Sequence, residues 1–81
     1  MQINVQLFAV ARQRAGSGSI ELELPSGATV AMLRVALVAA VPTLADTAPH
    51  LRFAVNSDYA ADATVIPADA QVACIPPVSG G

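Results

Sequence analysis

The last six residues, PPVSGG at positions 76–81, carry the groups best suited to chemistry. Pro76 and Pro77 each restrict φ and lack an amide hydrogen, so we expect the chain to leave the last strand there in an extended form. From Pro77 to Gly81 an extended chain spans on the order of 15 Å, which is enough to deliver a terminal carboxylate into the active site of another protein. Gly80 and Gly81 carry no side chains, so they keep the leading end of this tail narrow.

The carboxylate of Gly81 is the candidate reactive group of the tail. A free carboxylate resists nucleophiles because resonance and negative charge protect its carbon, so it needs activation. ATP activates it by forming an acyl adenylate, from which AMP leaves when sulfur, an amine or a thiol attacks. No other part of the sequence supplies a catalyst, so we expect the chain to be the substrate of a separate ATP-consuming enzyme and to bind no cofactor. The alternative is an inert, frayed end, since chain termini are often disordered.

The other reactive side chains are isolated from one another. Cys74 is the single cysteine, which excludes an internal disulfide and an all-cysteine zinc or iron–sulfur site within one chain. We expect it to be a small buried hydrophobic residue. The single histidine, His50, has no acid or nucleophile paired with it and is predicted to lie in a loop. Asp58 and Asp62 flank Tyr59 in a predicted turn, and no metal site is predicted.

Composition indicates one folded domain. The chain has 81 residues, of which 54% are hydrophobic and 12% are charged. This length suits a single small core, and this composition argues against intrinsic disorder. The basic residues are four arginines with no lysine, and the formal net charge is -2, so nucleic acid is not an expected partner.

No membrane segment or targeting signal is predicted. The longest apolar stretch, Ala28 to Val41, contains Arg34 and falls short of the roughly 20 residues needed to span a bilayer. The N-terminus, MQINVQLFAV, has no basic segment and alternates in the manner of a strand, which is unlike a secretory signal. We therefore expect a cytoplasmic protein.

Apolar periodicity predicts several strands and one main helix. Period-two alternation is typical of half-buried strands, and apolar residues three and four positions apart are typical of a helix face. Thr29 is predicted to cap the helix and Pro42 to end it. The predicted elements are strands on Gln2–Leu7 and Ile20–Leu24, a helix on Val30–Val41, a strand on Leu51–Val55, a weaker strand on Thr64–Ile66 and a last strand on Gln71–Ile75, with turns at Ala15–Gly18, Asn56–Asp58 and Pro67–Asp69.

This order of elements is that of the α+β β-grasp, or ubiquitin-like, roll, in which one helix packs across a mixed sheet. Residues 1–75 are assigned to this domain, and residues 76–81 to a flexible C-terminal tail. In this fold the first and last strands are parallel neighbours and end at the same edge. Because alternate residues of a strand face opposite sides, we expect Phe8 and Ile75 to point away from the helix beside the tail, as a partner-binding patch. The alternative is that a loop or local twist buries Phe8.

Four segments together resemble one family. They are LFAVARQRAG at residues 7–16, LELPSGATV at 22–30, AVN at 54–56 and IPPVSGG at 75–81. They look like the small subunit of molybdopterin synthase, the MoaD-type sulfur carrier of the MoaD/ThiS family. The resemblance covers essentially the whole chain, and the combination of the opening and the ending is more specific than a terminal Gly-Gly alone.

The resemblance implies a sulfur carrier that has no catalytic activity of its own. A ubiquitin-activating-like adenylyltransferase would adenylate Gly81, and sulfur would then replace one carboxylate oxygen to give a thiocarboxylate. The tail would insert into the large synthase subunit and donate its sulfur to cyclic pyranopterin monophosphate, building the molybdopterin dithiolene. Such proteins assemble as a heterotetramer with two small subunits on a dimer of large ones. The residues of this chain in the tail positions are Pro76, Pro77, Val78, Ser79, Gly80 and Gly81.

Three residues outside the tail bear on partners, and two sites depart from the family. Phe8 and Ile75 occupy positions where the family presents apolar contacts, although an aromatic residue is frequent where Ile75 stands. Arg12 matches a recurrent arginine and is a further candidate for the patch, either as a partner of an acidic group or phosphate or as a solvated side chain. Near the last turn, Ala68 to Ala70 replace the more usual glycine and acidic residues.

Other functions remain open for the same sequence. The first is a sulfur carrier for thiamine, tRNA thiolation or another thiolated product, which differs in the enzyme that the tail enters. The second is a modifier that is joined to lysines of other proteins by an isopeptide bond. The third is a β-grasp binding module with an inert tail, which would function without Gly81.

Overall fold

A computed structural model describes residues 1–77 and shows a mixed five-stranded sheet with two α-helices. The strand order across the sheet is β2-β1-β5-β3-β4. The elements are β1 (Gln2–Leu7), α1 (Ala9–Ala15), β2 (Ser19–Glu23), α2 (Val30–Ala40), β3 (Arg52–Val55), β4 (Asp58–Ala60) and β5 (Val72–Ile75), with 3-10 turns at Pro42–Leu44 and Ala48–His50.

The centre of the sheet is the parallel pair of β1 and β5, as predicted. Val5 lies opposite Val72, and Leu7 lies opposite Cys74. Strand β2 pairs antiparallel with the other edge of β1, while β3 pairs antiparallel with both β5 and β4. This arrangement confirms the β-grasp fold class.

The core lies between the sheet and α2, and the predicted alternation of the central strands is confirmed. Strand β1 buries every second residue, and β5 does so at Val72 and Cys74. Helix α2 contributes the fully buried Val30, Leu33 and Leu37. Each such aliphatic side chain stabilises the fold by about 1.5–3 kcal/mol through its burial.

The predicted start of α2 is confirmed, and its end lies one residue before the predicted end at Val41. The Thr29 hydroxyl accepts a hydrogen bond from the backbone N–H of Met32 at 3.4 Å, which satisfies one of the free donors at the helix start. The helix ends at Ala40, two residues before Pro42, which opens the following 3-10 turn.

Helix α1 was not predicted, since no element was expected on residues 8–14 and Ala15–Gly18 was expected to form a turn. Ala15 is instead the last residue of the helix. Seven residues make a helix too short to be stable alone, so tertiary contacts must hold it. Arg14 makes such contacts by donating to the Thr43 carbonyl at 2.6 Å and to Asp46 at 2.9 Å. The available signal was Gly16, which ends the helix in the left-handed conformation at φ 73°.

The predicted short strand on Thr64–Ile66 was wrong. Only Val65 forms an isolated bridge there, to Thr29, whereas the fifth strand of the sheet is β4 (Asp58–Ala60). Asn56 and Ser57 have φ of 50° and 74° and form a two-residue hairpin turn, so pairing resumes directly at Asp58. The predicted turn at Asn56–Asp58 was therefore one residue too long.

Arg34 connects α2 to the segment that leads into the second half of the sheet. Its guanidinium donates to the carbonyls of Ala48 and Leu51 at 2.6 and 2.7 Å, and to Asp62 at 2.7 Å. Its central carbon also lies 5.1 Å from the ring centroid of the buried Phe53. A single charged side chain thus satisfies backbone acceptors in a segment that lacks strand pairing.

We expect Arg34→Met to lower the free energy of unfolding by about 2–3 kcal/mol, because partly buried carbonyls lose a charged donor. The matched control is Asp62→Asn, which removes the exposed ion pair but leaves the carbonyl bonds, and should cost less than about 1 kcal/mol. Denaturant titration of both variants measures the difference. Equal losses in the two variants would contradict this role of the carbonyl bonds.

Candidate functional site

The parallel pairing of β1 and β5 places the ends of both strands at one edge of the sheet. Leu7 lies opposite Cys74 and both face the core, so the next residues, Phe8 and Ile75, project from the opposite face. Phe8 is 46% exposed, and Ile75 is half-buried. The alternative in which a loop covers Phe8 is therefore excluded.

A local backbone turn presents Phe8 at this edge. Phe8 has an extended backbone, and Ala9 follows in the left-handed region at φ 52°. A left-handed conformation at a residue other than glycine costs about 1–2 kcal/mol. Helix α1 begins immediately, and the Phe8 carbonyl accepts from the N–H of Ala11 at 3.1 Å. The helix therefore holds the end of β1 in this strained conformation.

An open apolar cleft lies where the chain leaves β5. Its volume is about 530 Å³. The larger apolar side chains that line this cleft form a surface that we call the exit patch. The exit patch consists of Phe8, Val10, Ile75, Pro76 and Pro77, and Ala9 and Gln13 complete the lining of the cleft.

The two prolines of the tail differ in their environment. Pro76 is buried and Pro77 is exposed. The predicted domain ends at Ile75. Pro76, the next residue, still packs against the domain, and Pro77 is the first residue of the predicted tail that is exposed to solvent. The predicted tail residues Val78, Ser79, Gly80 and Gly81 lie outside the described residues, so their roles stay predictions.

Arg12, the further candidate for the patch, lies on the exposed side of α1. Its guanidinium carbon is 3.7 Å from the point where a side-chain carbon on Gly18 would stand. It forms no ion pair within residues 1–77. Packing against the loop before β2 is therefore its described contact, and a role in partner binding stays a prediction.

Cys74 lies in β5, and its side chain is fully buried in the core on the inner face of the sheet, as predicted. Burial raises the pKa of its thiol to about 11, with a smaller opposing effect from the charge of Arg34. Because the thiolate is the nucleophilic form, this thiol is unreactive in the folded protein near neutral pH.

The other predicted isolated residues also lack a common site. His50 lies in a 3-10 turn, Asp58 lies in β4 rather than in a turn, and Asp62 pairs with Arg34. Within residues 1–77 no cluster of histidine, cysteine or acidic side chains is placed to hold a metal ion. No helix in this part of the chain has the length and apolar character needed to cross a membrane.

Sequence reasoning missed Val10 and Gln13 as residues of the cleft, since it did not predict α1. These two residues line the cleft because they are three positions apart on one side of a helix. The signal for such a helix end is two arginines in the last turn, Arg12 and Arg14, followed in the sequence by Gly16.

The fold and the position of the exit patch define a ubiquitin-like protein of the β-grasp class. The family model described as the ThiS family matches residues 5–81. The chain therefore belongs to the ThiS family.

Two curated relatives are similar over the full length of the chain. The molybdopterin synthase sulfur carrier subunit of Arabidopsis thaliana is 35% identical over 81 residues, which are 100% of this chain and 84% of the relative. The protein of the same name from Chlamydomonas reinhardtii is 37% identical over 83 residues, with 100% of both chains covered.

A solved structure shows the same fold in an archaeal protein. The crystal structure of SAMP1 from Haloferax volcanii superimposes with a TM-score of 0.86 at 30% identity, and 100% of each chain is covered. This chain therefore has the same fold as the archaeal protein.

We expect the stability of the protein to fall as pH rises from about 9 to 11, because of Cys74. The unfolded thiol ionises near its ordinary pKa of 9.0, while the native thiol keeps its proton up to about 11. In this window the native state binds more protons, so the free energy of unfolding decreases with pH, by on the order of 2–3 kcal/mol. Denaturant titrations at several pH values measure this slope. In Cys74→Ala the slope should flatten, and an unchanged slope would contradict the assignment.

Proposed function

We propose that this chain is the sulfur carrier subunit of molybdopterin synthase. The observation that carries the proposal is the full-length similarity to two sulfur carrier subunits at 35% and 37% identity. The geometry supports it, since the last described residues leave the sheet beside an apolar patch that suits a protein partner. The chain carries the sulfur and is a substrate of other enzymes, and it has no catalytic role of its own.

The reactive atom in this proposal belongs to Gly81. The carboxylate attacks the α-phosphate of ATP in the active site of a ubiquitin-activating-like enzyme and releases pyrophosphate. Hydrosulfide then attacks the carbonyl carbon of the acyl adenylate, the bond to AMP breaks, and a thiocarboxylate, AMP and a proton are formed. The inert Cys74 thiol supports this route, because the single cysteine is buried and cannot carry the sulfur.

The exit patch binds the partner while the tail enters its active site. The partner is the large subunit of molybdopterin synthase, where the thiocarboxylate donates sulfur to cyclic pyranopterin monophosphate. The activating enzyme uses the same patch at the earlier step. A patch next to the tail directs the tail because binding at Phe8 and Ile75 fixes where Pro77 starts.

A protein modifier is the second candidate function. The observation that favours it is the 30% identity to a structure named SAMP1, with full coverage of both chains. A second structure from the same organism, at 29% identity, is named small archaeal modifier protein 1. In this case the activated carboxyl of Gly81 forms an isopeptide bond with a lysine of another protein. This chain contains no lysine, so it cannot form chains of itself through side chains.

We expect Gly81-dependent thiocarboxylation when the chain is incubated with ATP, a sulfur donor and an activating enzyme. The measurement is the intact mass of the full chain against a variant that lacks Gly81. Exchange of oxygen for sulfur adds about 16 mass units, nearly the same as oxidation of methionine or cysteine, so alkylation is used to trap the thiocarboxylate.

Three results distinguish the functions. Trapped thiocarboxylate on the full chain alone supports a carrier, and formation of the pterin dithiolene with the large subunit then supports molybdopterin synthase. High-mass conjugates to lysines of other proteins, without dithiolene, support the modifier. An unmodified chain, with an activating enzyme shown to work on another carrier, contradicts both.

We expect Phe8→Asp to weaken binding of the large subunit by at least about tenfold, because a charge would enter the apolar contact. The matched control is Val35→Asp, which changes a 71% exposed apolar residue of α2, outside the exit patch. Calorimetric titration measures both affinities, and denaturation checks that each variant folds. Equal affinity of the two variants would show that the exit patch does not bind this partner.

A further inference from the structure

Arg52 lies next to the exit patch on the outer face of the sheet. In the antiparallel pair of β3 and β5, Arg52 is directly opposite Ile75. Directly paired residues of neighbouring strands project from the same face, so Ile75 lies between Phe8 on one side and Arg52 on the other. A cationic side chain therefore borders the apolar patch.

Tyr59 holds the Arg52 side chain in a defined place. Tyr59 is the β4 residue opposite Ala54, which puts it diagonally across from Arg52 on the same face. The guanidinium carbon of Arg52 lies 5.4 Å from the centroid of the Tyr59 ring. Stacking on an aromatic ring orders a guanidinium yet leaves the N–H donors at its edge available for hydrogen bonds.

The charge of Arg52 is not neutralised within the described part of the chain. Arg14 pairs with Asp46 and Arg34 with Asp62, whereas Arg52 forms no ion pair or hydrogen bond with residues 1–77. Tyr59 is 65% exposed, so the stacked pair faces solvent. An ordered arginine with unused donors is suited to a planar anion, and a carboxylate matches its fork in two parallel hydrogen bonds.

We propose that Arg52, held on Tyr59, binds a carboxylate of the protein that covers the exit patch. The inference rests on the proposed function, which places the large synthase subunit on that patch. The partner surface then has an apolar pocket for Phe8 and Ile75 with an aspartate or glutamate on the Arg52 side. This pairing selects partners and sets their orientation, because a surface with a basic residue at that position is repelled.

The experiment measures affinity of the large subunit for variants at low and at physiological salt. Arg52→Gln removes the charge, and Arg52→Lys keeps the charge without the planar fork. Tyr59→Ala removes the ring, and Tyr59→Phe keeps it. The control is Ser26→Asp, which makes the same change in net charge as Arg52→Gln in the exposed loop at the opposite end of β1.

We expect Arg52→Gln to weaken binding by about tenfold or more at low salt and to reduce the dependence of affinity on salt. Arg52→Lys should retain part of the affinity. The affinity of Tyr59→Phe should lie within about twofold of that of the unaltered chain. The affinity of Tyr59→Ala should lie between those of Tyr59→Phe and Arg52→Gln. Ser26→Asp should show no effect beyond that of net charge.

Three patterns contradict all or part of the inference and can be told apart. If Phe8→Asp weakens binding but Arg52→Gln matches Ser26→Asp, the carboxylate pairing is wrong and the proposed function stands. If the unaltered chain does not bind the large subunit, the proposed function and this inference both fail. If Arg52→Gln weakens binding and Tyr59→Ala does not, the role of the ring in holding Arg52 is wrong.

Discussion

The parallel pairing of the first and last strands is the constraint on which the rest of the structure depends. It joins residues 67 positions apart in the sequence, Leu7 and Cys74, at the centre of the sheet. Both are buried, so the pairing is stabilised by the core as well as by backbone hydrogen bonds. Because the strands are parallel, they end at the same edge, and Phe8 meets Ile75 and Pro76 there. A sheet with antiparallel terminal strands would send the tail away from Phe8.

The domain separates stability from chemistry. Its apolar core is filled by aliphatic side chains, Phe53 and one inert thiol, and no polar side chain is buried in the described part of the chain. Two arginines stabilise the fold from the helices. Arg14 of α1 and Arg34 of α2 each donate hydrogen bonds to backbone carbonyls of segments that lack strand pairing. This arrangement fits the proposed carrier role, in which the reactive group lies on the tail and the enzymes that modify it supply every catalytic residue.

The outer face of the sheet contains both an apolar and an electrostatic element. Phe8 and Ile75 lie at its edge, and Arg52 stacked on Tyr59 continues the same surface. In the proposed complex, apolar contact alone would fit many partners, while the guanidinium of Arg52 restricts them to surfaces with an acid at one position. The Cys74 thiol contributes nothing to this surface, since it faces the core.

The sequence by itself determined four of the five strands (β1, β2, β3 and β5), the capped main helix, the inward parity of the core and the burial of Cys74, because local periodicity and burial depend on neighbouring residues. The family also follows from short segments of the sequence. Helix α1, the edge strand β4 and the stacking of Arg52 on Tyr59 were decided only by the tertiary structure. Seven residues cannot stabilise a helix alone, and three residues carry too little alternation to mark a strand. Their positions depend on contacts with distant segments, which local sequence patterns do not record.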